Sequence, residues 1–355
     1  MNSSTGRKPT KRIRIGKVII GGGFPVAIQS MTNTKTADVE ATVTQIIALQ
    51  ETGCEIVRVS VPDCESAAAF KEIKAQIDVP IVADIHFKAD LAVAAIKAGA
   101  DKIRINPGNI GGPEDIRKIV DAAGTAGIPI RIGVNSGSLS KQVRARPNSM
   151  AEKLADSALE NISLLEESGF DNIVLSVKSS DVLETVKAYR VLSGKTDYPL
   201  HLGITESGTL ESGTVKSAIG IGLLLAEGIG DTIRVSLTAE PVREIDVAKQ
   251  ILQALGIRRF HPEIISCPTC ARCEVDLITI AARLERHLKG CNKLVKVAVM
   301  GCVVNGPGEA SGADIGLAAG RGKGVIFRRG LAVKTIDETD FFSELIKMVD
   351  EFEVE

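Results

Sequence analysis

Between about residue 25 and residue 256 one unit recurs along the chain. A short β-branched run leads into a polar loop, then a segment rich in Ala, Leu, Ile, Lys and Glu at helical spacing, then a Gly or Pro turn. Candidate strands fall at 26–30, 56–61, 81–85, 102–105, 130–134, 173–177, 200–204 and 232–237. The helical segments between them include 39–51, 89–98, 114–126, 151–168, 181–192 and 215–227. Gly53, Gly99, Gly127, Gly169, Gly228 and Gly256 stand where a left-handed helix stop is expected. Strands alternating with helices imply parallel strands joined by crossover helices. Eight such units in about 230 residues fit a closed (β/α)8 TIM-type barrel better than an open sheet. A doubly wound sheet would use fewer strands and a Gly-rich phosphate loop after the first one. Gly21-Gly22-Gly23 precedes the first strand and reads as a turn.

After Gly256 the pattern changes. Residues 258–262 read as a linker or domain entry. They are followed by a cysteine-rich stretch, a helix at 276–289 and a strand at 294–299. A loop at 301–308, short strands at 314–318 and 324–328, a further strand around Lys334 and Ile336, and an acidic amphipathic helix at 339–352 complete a small α+β module. The expected domains are therefore 1–258 and 259–355.

The formal net charge of −1 lacks the basic excess of a duplex-binding protein, and the lack of Trp with only two Tyr speaks against a base-stacking platform. No apolar run reaches the length of a membrane span. Residues 1–14 are polar and basic, lack an apolar signal core and read as a frayed tail. A cytoplasmic protein is expected.

In such barrels, chemistry sits at the C-terminal ends of the strands. Those ends are polar here: Gln29 and Asn33; Arg58 and Ser60; Asp84 and His86; Arg104 and Asn106; Arg131 and Asn135; Ser176 and Lys178; Thr205 and Glu206; Arg234 and Ser236. Four of the eight strands place an arginine among β-branched core positions. Guanidinium forks suit phosphate oxygens, and several converging on one mouth suit a diphosphate. Taken singly, each arginine could be a rim residue or half of a structural ion pair. His86 is open to a structural reading as well. Glu206 is either a helix-start carboxylate or a general acid.

Seven cysteines is an odd count, and five of them, Cys267, Cys270, Cys273, Cys291 and Cys302, fall in the C-terminal module. In a chain of this kind thiols are metal ligands, catalytic groups or core filler more often than disulfides. Cys267-Pro268-Thr269-Cys270-Ala271-Arg272-Cys273 is a CxxCxxC run, a spacing that binds zinc or an iron–sulfur cluster. Spacing alone leaves the ligand set open: Cys267, Cys270, Cys273 and one of Cys291 or Cys302. The Gly/Pro-rich setting of Cys302 suggests a backbone shaped around something bulky, whereas Cys291, after a helix end at Lys289-Gly290, reads as structural.

Ile28-Gln29-Ser30-Met31-Thr32-Asn33, residues 38–42, Asn106-Pro107-Gly108-Asn109, Gly203-Ile204-Thr205-Glu206, Cys267-Pro268-Thr269-Cys270-Ala271-Arg272 and Asn305-Gly306-Pro307-Gly308-Glu309 together resemble the bacterial 4-hydroxy-3-methylbut-2-enyl diphosphate synthase family. The resemblance runs over almost the whole chain, and the last two motifs are highly specific. It implies reductive ring opening and dehydroxylation of 2-C-methyl-D-erythritol 2,4-cyclodiphosphate on the non-mevalonate isoprenoid (MEP) route. It implies a [4Fe-4S] cluster fed single electrons by reduced flavodoxin or ferredoxin, and a homodimer in which one chain's barrel faces the other's cluster domain. Carried over by motif, the cluster ligands are Cys267, Cys270, Cys302 and Glu309. That set displaces Cys273, a position commonly not cysteine in the family. A carboxylate ligand is harder and more easily displaced than a thiolate. Substrate-binding candidates are Gln29, Asn33, Arg58, His86, Arg104, Asn106, Arg131, Asn135, Lys178 and Arg234, with Glu206 as the catalytic candidate.

Two other readings compete. One is a non-redox barrel enzyme with a structural zinc module, which metal analysis would separate from the first. The other is an iron–sulfur carrier or sensor, against which the polar strand ends speak.

Overall fold

A computed structural model describes residues 6–106, 109–289, 291 and 293–353. The chain divides into two compact units, Met1–Arg258 and Arg259–Glu355. Pro107, Gly108 and Gly290, and with them part of the Asn106–Asn109 motif and of the turn before Cys291, lie outside the described residues.

The first unit opens with an antiparallel hairpin, β1 (Ile13–Ile15) and β2 (Val18–Ile20). Eight parallel strands follow: β3 (Ala27–Met31), β4 (Ile56–Ser60), β5 (Ile81–Asp84), β6 (Lys102–Ile105), β7 (Ile130–Asn135), β8 (Ile173–Lys178), β9 (His201–Leu202) and β10 (Thr232–Ile233). They neighbour one another in chain order, β10 returns to β3, and a parallel bridge between Leu175 and Leu200 joins β8 to β9. The ring is thus a (β/α)8 barrel. Its crossover helices are α1 (Val39–Glu51), α2 (Cys64–Ala75), α3 (Ala89–Lys97), α4 (Pro113–Ala126), α6 (Met150–Glu166), α7 (Val182–Lys195), α8 (Leu210–Ala226) and α9 (Pro241–Ala254), with a short α5 (Lys141–Arg144) before α6.

Local chemistry sets the helix ends. Asp38 and Asp63 accept hydrogen bonds from backbone N–H groups three residues on, and Ser149 with Glu152 forms a capping box. All six expected stop glycines have positive φ, from 66° at Gly256 to 100° at Gly99.

The amino-terminal segment differs from expectation. Residues 6–14 are not frayed, because the buried carboxylate of Asp231 needs partners. Arg7 pairs with it at 2.9 Å and the Thr10 hydroxyl donates to it at 2.9 Å. The alternation Ile13-Arg14-Ile15 then starts the hairpin. Ile13, Ile15 and Ile20 pack on Ala27, Ile56, Val82 and Val174, which lie early in their strands, so the hairpin stoppers the N-terminal end of the barrel.

The second unit is a five-stranded sheet: β11 (Glu263–Ser266), β12 (Lys296–Met300), β13 (Ile315–Gly320), β14 (Lys323–Arg328) and β15 (Leu331–Asp337). Spatial order follows chain order, the first three strands parallel and the last two antiparallel. Alternation along β12 serves both faces. Val297 and Val299 join the core under α10 (Leu277–Leu288) and α12 (Phe341–Asp350), while Ala298 and Met300 pack with Ala310 of α11 (Gly306–Ser311). The loop expected at 301–308 becomes helix from Gly306, because Pro307, with its fixed φ and no N–H, fits the first helical turn.

Candidate functional site

Strand register decides which side chains enter the barrel. Partners in a parallel ladder share a face, and the pairs Met31–Arg58, Asp84–Arg104, Arg104–Arg131 and Asn135–Lys178 carry one polar face around the ring. The result is an interior cavity of about 270 Å³, walled by Met31, Arg58, Asp84, His86, Arg104, Arg131, Asn135, Ser176, Lys178, Thr205, Arg234 and Ser236. Seven of the sequence candidates meet there: Arg58, His86, Arg104, Arg131, Asn135, Lys178 and Arg234.

Asp84 is the organising carboxylate. Arg104 Nη1 donates to it at 3.0 Å, with Arg58 at 3.7 Å and His86 Nε2 at 3.5 Å. Burial alone would raise its pKa, but Arg58, the His86 hydrogen bond and Arg104 hold it well below the usual carboxylate range. On the far side of the mouth, Glu244 of α9 reaches Arg234 at 3.5 Å while accepting from the Ser30 hydroxyl at 2.8 Å.

Two glycines make room for this cluster. A Cβ at Gly133 would lie 2.6 Å from Arg104 Nε, and one at Gly203 would lie 2.6 Å from both Lys178 Nζ and the Arg234 carbonyl oxygen.

The cations outnumber their partners. Arg131 is 1% exposed, and among the described residues its Nε and Nη1 have no hydrogen-bond acceptor, nor do Arg104 Nε and Arg234 Nε. Burial, then neighbouring guanidinium groups, push the pKa values of Lys178 and Arg131 well below their ordinary values, and burial brings Arg58 down to about 9. Buried donors without acceptors are costly. An oxygen-rich anion satisfies the donors and the charge together.

The other candidates lie elsewhere. Gln29 is buried below the cavity, its Oε1 3.4 Å from Lys102 Nζ. Asn33 is exposed and bonded to Gln45. Asn106 donates to Ser138 Oγ at 2.8 Å. Glu206 is exposed, does not wall the cavity, and holds a left-handed φ of 53°, a conformation costly for a residue with a Cβ. Lys102, fully buried on the same interior face two residues before Arg104, escaped sequence reasoning. Its signal was the alternation Lys102-Ile103-Arg104.

In the second unit, Cys267, Cys302, Asn305 and Glu309 help wall another cavity of about 270 Å³. Cys267 Sγ accepts from the Gly301 N–H at 3.3 Å. Backbone N–H groups of Asn305 and Val304 lower the pKa of Cys302, and those of Arg272 lower that of the exposed Cys270. Cys273 does not wall this cavity. Its thiol donates to the Val275 carbonyl at 3.3 Å and packs, like Cys291, against the core beneath α10. Among the described residues no three His, Cys, Asp or Glu side chains converge on one metal ion. Nor is any helix among them long and apolar enough to cross a membrane.

Comparison with known proteins agrees over both units. The family model described as the GcpE TIM-barrel domain matches residues 10–249, and the GcpE protein C-terminal domain matches residues 263–351. A protein of Caldanaerobacter subterraneus subsp. tengcongensis, named 4-hydroxy-3-methylbut-2-en-1-yl diphosphate synthase (flavodoxin), is 56% identical over 97% of each chain. One of the same name from Caldicellulosiruptor saccharolyticus is 58% identical over 96% of this chain and 98% of its own. Among solved structures, dihydropteroate synthase from Stenotrophomonas maltophilia aligns with a TM-score of 0.52 at 15% identity, over 70% of this chain and 98% of that one. That likeness is one of fold alone.

Proposed function

Since this chain belongs to the GcpE family, the flavodoxin-dependent 4-hydroxy-3-methylbut-2-en-1-yl diphosphate synthases, we propose how its two units divide the reaction. The activity is reductive ring opening of 2-C-methyl-D-erythritol 2,4-cyclodiphosphate, with loss of a hydroxyl as water, on the non-mevalonate isoprenoid route. Flavodoxin is the electron donor.

The barrel unit takes the cyclic diphosphate. Arg58, Arg104, Arg131, Lys178 and Arg234 bind its phosphate oxygens, and His86 and Asn135 orient it at the mouth. Asp84 fixes the Arg58 and Arg104 side chains. Gln29 and Asn106 support these groups from behind and beside the cavity, while Asn33, bonded to Gln45, stands apart from it. The observation that carries this reading is the set of buried guanidinium donors that have no acceptor among the described residues. Glu206, next to the cavity-wall residue Thr205, is the proposed donor of the proton that leaves with the hydroxyl. Glu206→Gln is expected to lower kcat by about 10²-fold or more with little change in KM. An unchanged kcat removes Glu206 from the reaction.

The second unit holds a [4Fe-4S] cluster on Cys267, Cys270, Cys302 and Glu309. The fit is supported by a cavity walled by two thiols and a carboxylate, with room for a group larger than one ion. When bound, such a cluster supplies single electrons and, at its carboxylate-held iron, an exchangeable position. Backbone N–H groups stabilise the Cys302 and Cys270 thiolates for that purpose. Ferredoxin as a second donor, a homodimeric assembly and a cytoplasmic location complete the proposal. The test is an anaerobic assay with reduced flavodoxin and the cyclic diphosphate, alongside iron and sulfide analysis and EPR of the reduced protein. An intact cluster that forms no alkenyl diphosphate refutes the proposal. Zinc without iron or sulfide refutes the cluster.

A further inference from the structure

Among the described residues six basic side chains face the barrel interior, Arg58, Lys102, Arg104, Arg131, Lys178 and Arg234, against one carboxylate there, Asp84, while Glu244 reaches Arg234 from α9. The cyclic substrate carries one negative charge on each phosphate. Ring opening breaks a C–O bond and leaves its electron pair on a phosphate oxygen. Two electrons enter from the donor, one proton leaves with the departing hydroxyl as water, and the product carries one more negative charge than the substrate. The interior therefore has more positive charge than the substrate matches. The surplus is complementary to the opened ring, where catalysis needs it.

Lys102 is the cation the substrate cannot reach. It lies one interior layer below Arg104, roughly 7 Å deeper along β6, and it is fully buried. Its Nζ meets Gln29 Oε1 at 3.4 Å and pairs with no carboxylate among the described residues. The groups that face it are Arg58 on β4, Arg131 on β7 and His201 on β9, with Lys178 further up β8. The carboxylate that faces the interior among the described residues, Asp84, is engaged by Arg58, Arg104 and His86.

We propose that Lys102 is a counter-charge held in reserve for the opened ring, neutral in the empty and substrate-bound barrel and protonated when the open-chain diphosphate fills the cavity above it. This rests on the barrel reading given above. Burial, then Arg131 and Arg58, hold the free amine well below the ordinary lysine range. An added oxyanion engaging Arg131 cancels part of that repulsion and lets the proton on. Lys102 acts through Arg131 and is a positioning residue, not a catalytic one.

The test is calorimetric titration of the anaerobic, cluster-loaded enzyme, without electron donor, in buffers of different ionisation heat. We expect uptake of about one proton with the open-chain diphosphate and much less with the cyclic one. In Lys102→Met that difference disappears, and preference for the open-chain ligand falls roughly tenfold, the effect of one pKa unit. Affinity for the cyclic ligand stays within about twofold, since neutral lysine and methionine differ little in charge. Lys102→Arg, permanently charged, binds the open-chain ligand with no uptake. Equal proton uptake with both ligands in the wild type overturns the proposal without any variant. A difference that persists in Lys102→Met moves the titrating group to Lys178 or His201. Should the wild type bind neither ligand, the barrel reading itself fails, a result distinct from binding without differential uptake.

Discussion

Gly133 shows how closely the cation cluster is packed. A methyl group there would sit 2.6 Å from Arg104 Nε and so displace the guanidinium from Asp84. Gly133→Ala is expected to weaken binding of the cyclic diphosphate about tenfold, through lost alignment, and to destabilise the fold by roughly 1–3 kcal/mol. Calorimetry and thermal melts separate the two effects. The cysteines make an equally sharp contrast. Cys302→Ser should lose the cluster, and retention of a full [4Fe-4S] EPR signal would exclude Cys302 as a ligand. Cys273→Ser should keep the cluster, because that thiol is turned into the core beneath α10. Spacing alone could not choose between these two residues. Cys273 completes a CxxCxxC run, and only the third dimension turns it away from the cavity that Cys267 and Cys302 share.

At the scale of elements, the β1–β2 hairpin is what the sequence hid. A run of basic residues masked a three-residue alternation too short to read as a strand, and the partner that orders it, Asp231, is more than 200 positions away. Ile15 is fully buried in the layer the hairpin forms. Ile15→Ala should cost about 2–4 kcal/mol, measured by urea denaturation. A cost below about 0.5 kcal/mol would mean that the hairpin does not seal the barrel. The barrel strands were legible because most are β-branched runs followed by a helix, and six of the eight crossover helices end at glycine. The ends of β9 and β10 were not. Both expected strands extend past the observed ladder, which ends where Gly203 and Arg234 leave it to shape the mouth. β11 was equally hidden, its four residues lying just after a stretch that reads as linker.

For the whole molecule, the buried bases give stability a pH dependence of definite sign. Lys102, Lys178 and His201 have folded pKa values well below their unfolded ones, so the folded state binds fewer protons than the unfolded state. Their contribution therefore grows as pH rises, from the lowered folded values up to the ordinary ones of 10.5 for lysine and 6.5 for histidine. Asp84, whose folded pKa is also depressed, acts in the same direction, but its contribution is lost only in strong acid. The ligand-free protein should gain stability between pH 7 and pH 9 by about 1 kcal/mol or more. A saturating open-chain diphosphate should flatten that slope. Urea midpoints at the two pH values measure both, and a ligand-free midpoint that falls with pH contradicts the assignment. The sequence already displayed the arginines at the strand ends. It could not display their shortage of partners, which depends on which side chains the ring closes around.

The stoppered base also has a kinetic consequence. A barrel whose N-terminal end is sealed by Ile13, Ile15 and Ile20 takes its ligands through the mouth at the C-terminal ends of the strands. Arrival and departure must take turns, so the alkenyl diphosphate leaves before the next cyclic diphosphate enters, and each excludes the other from the free enzyme.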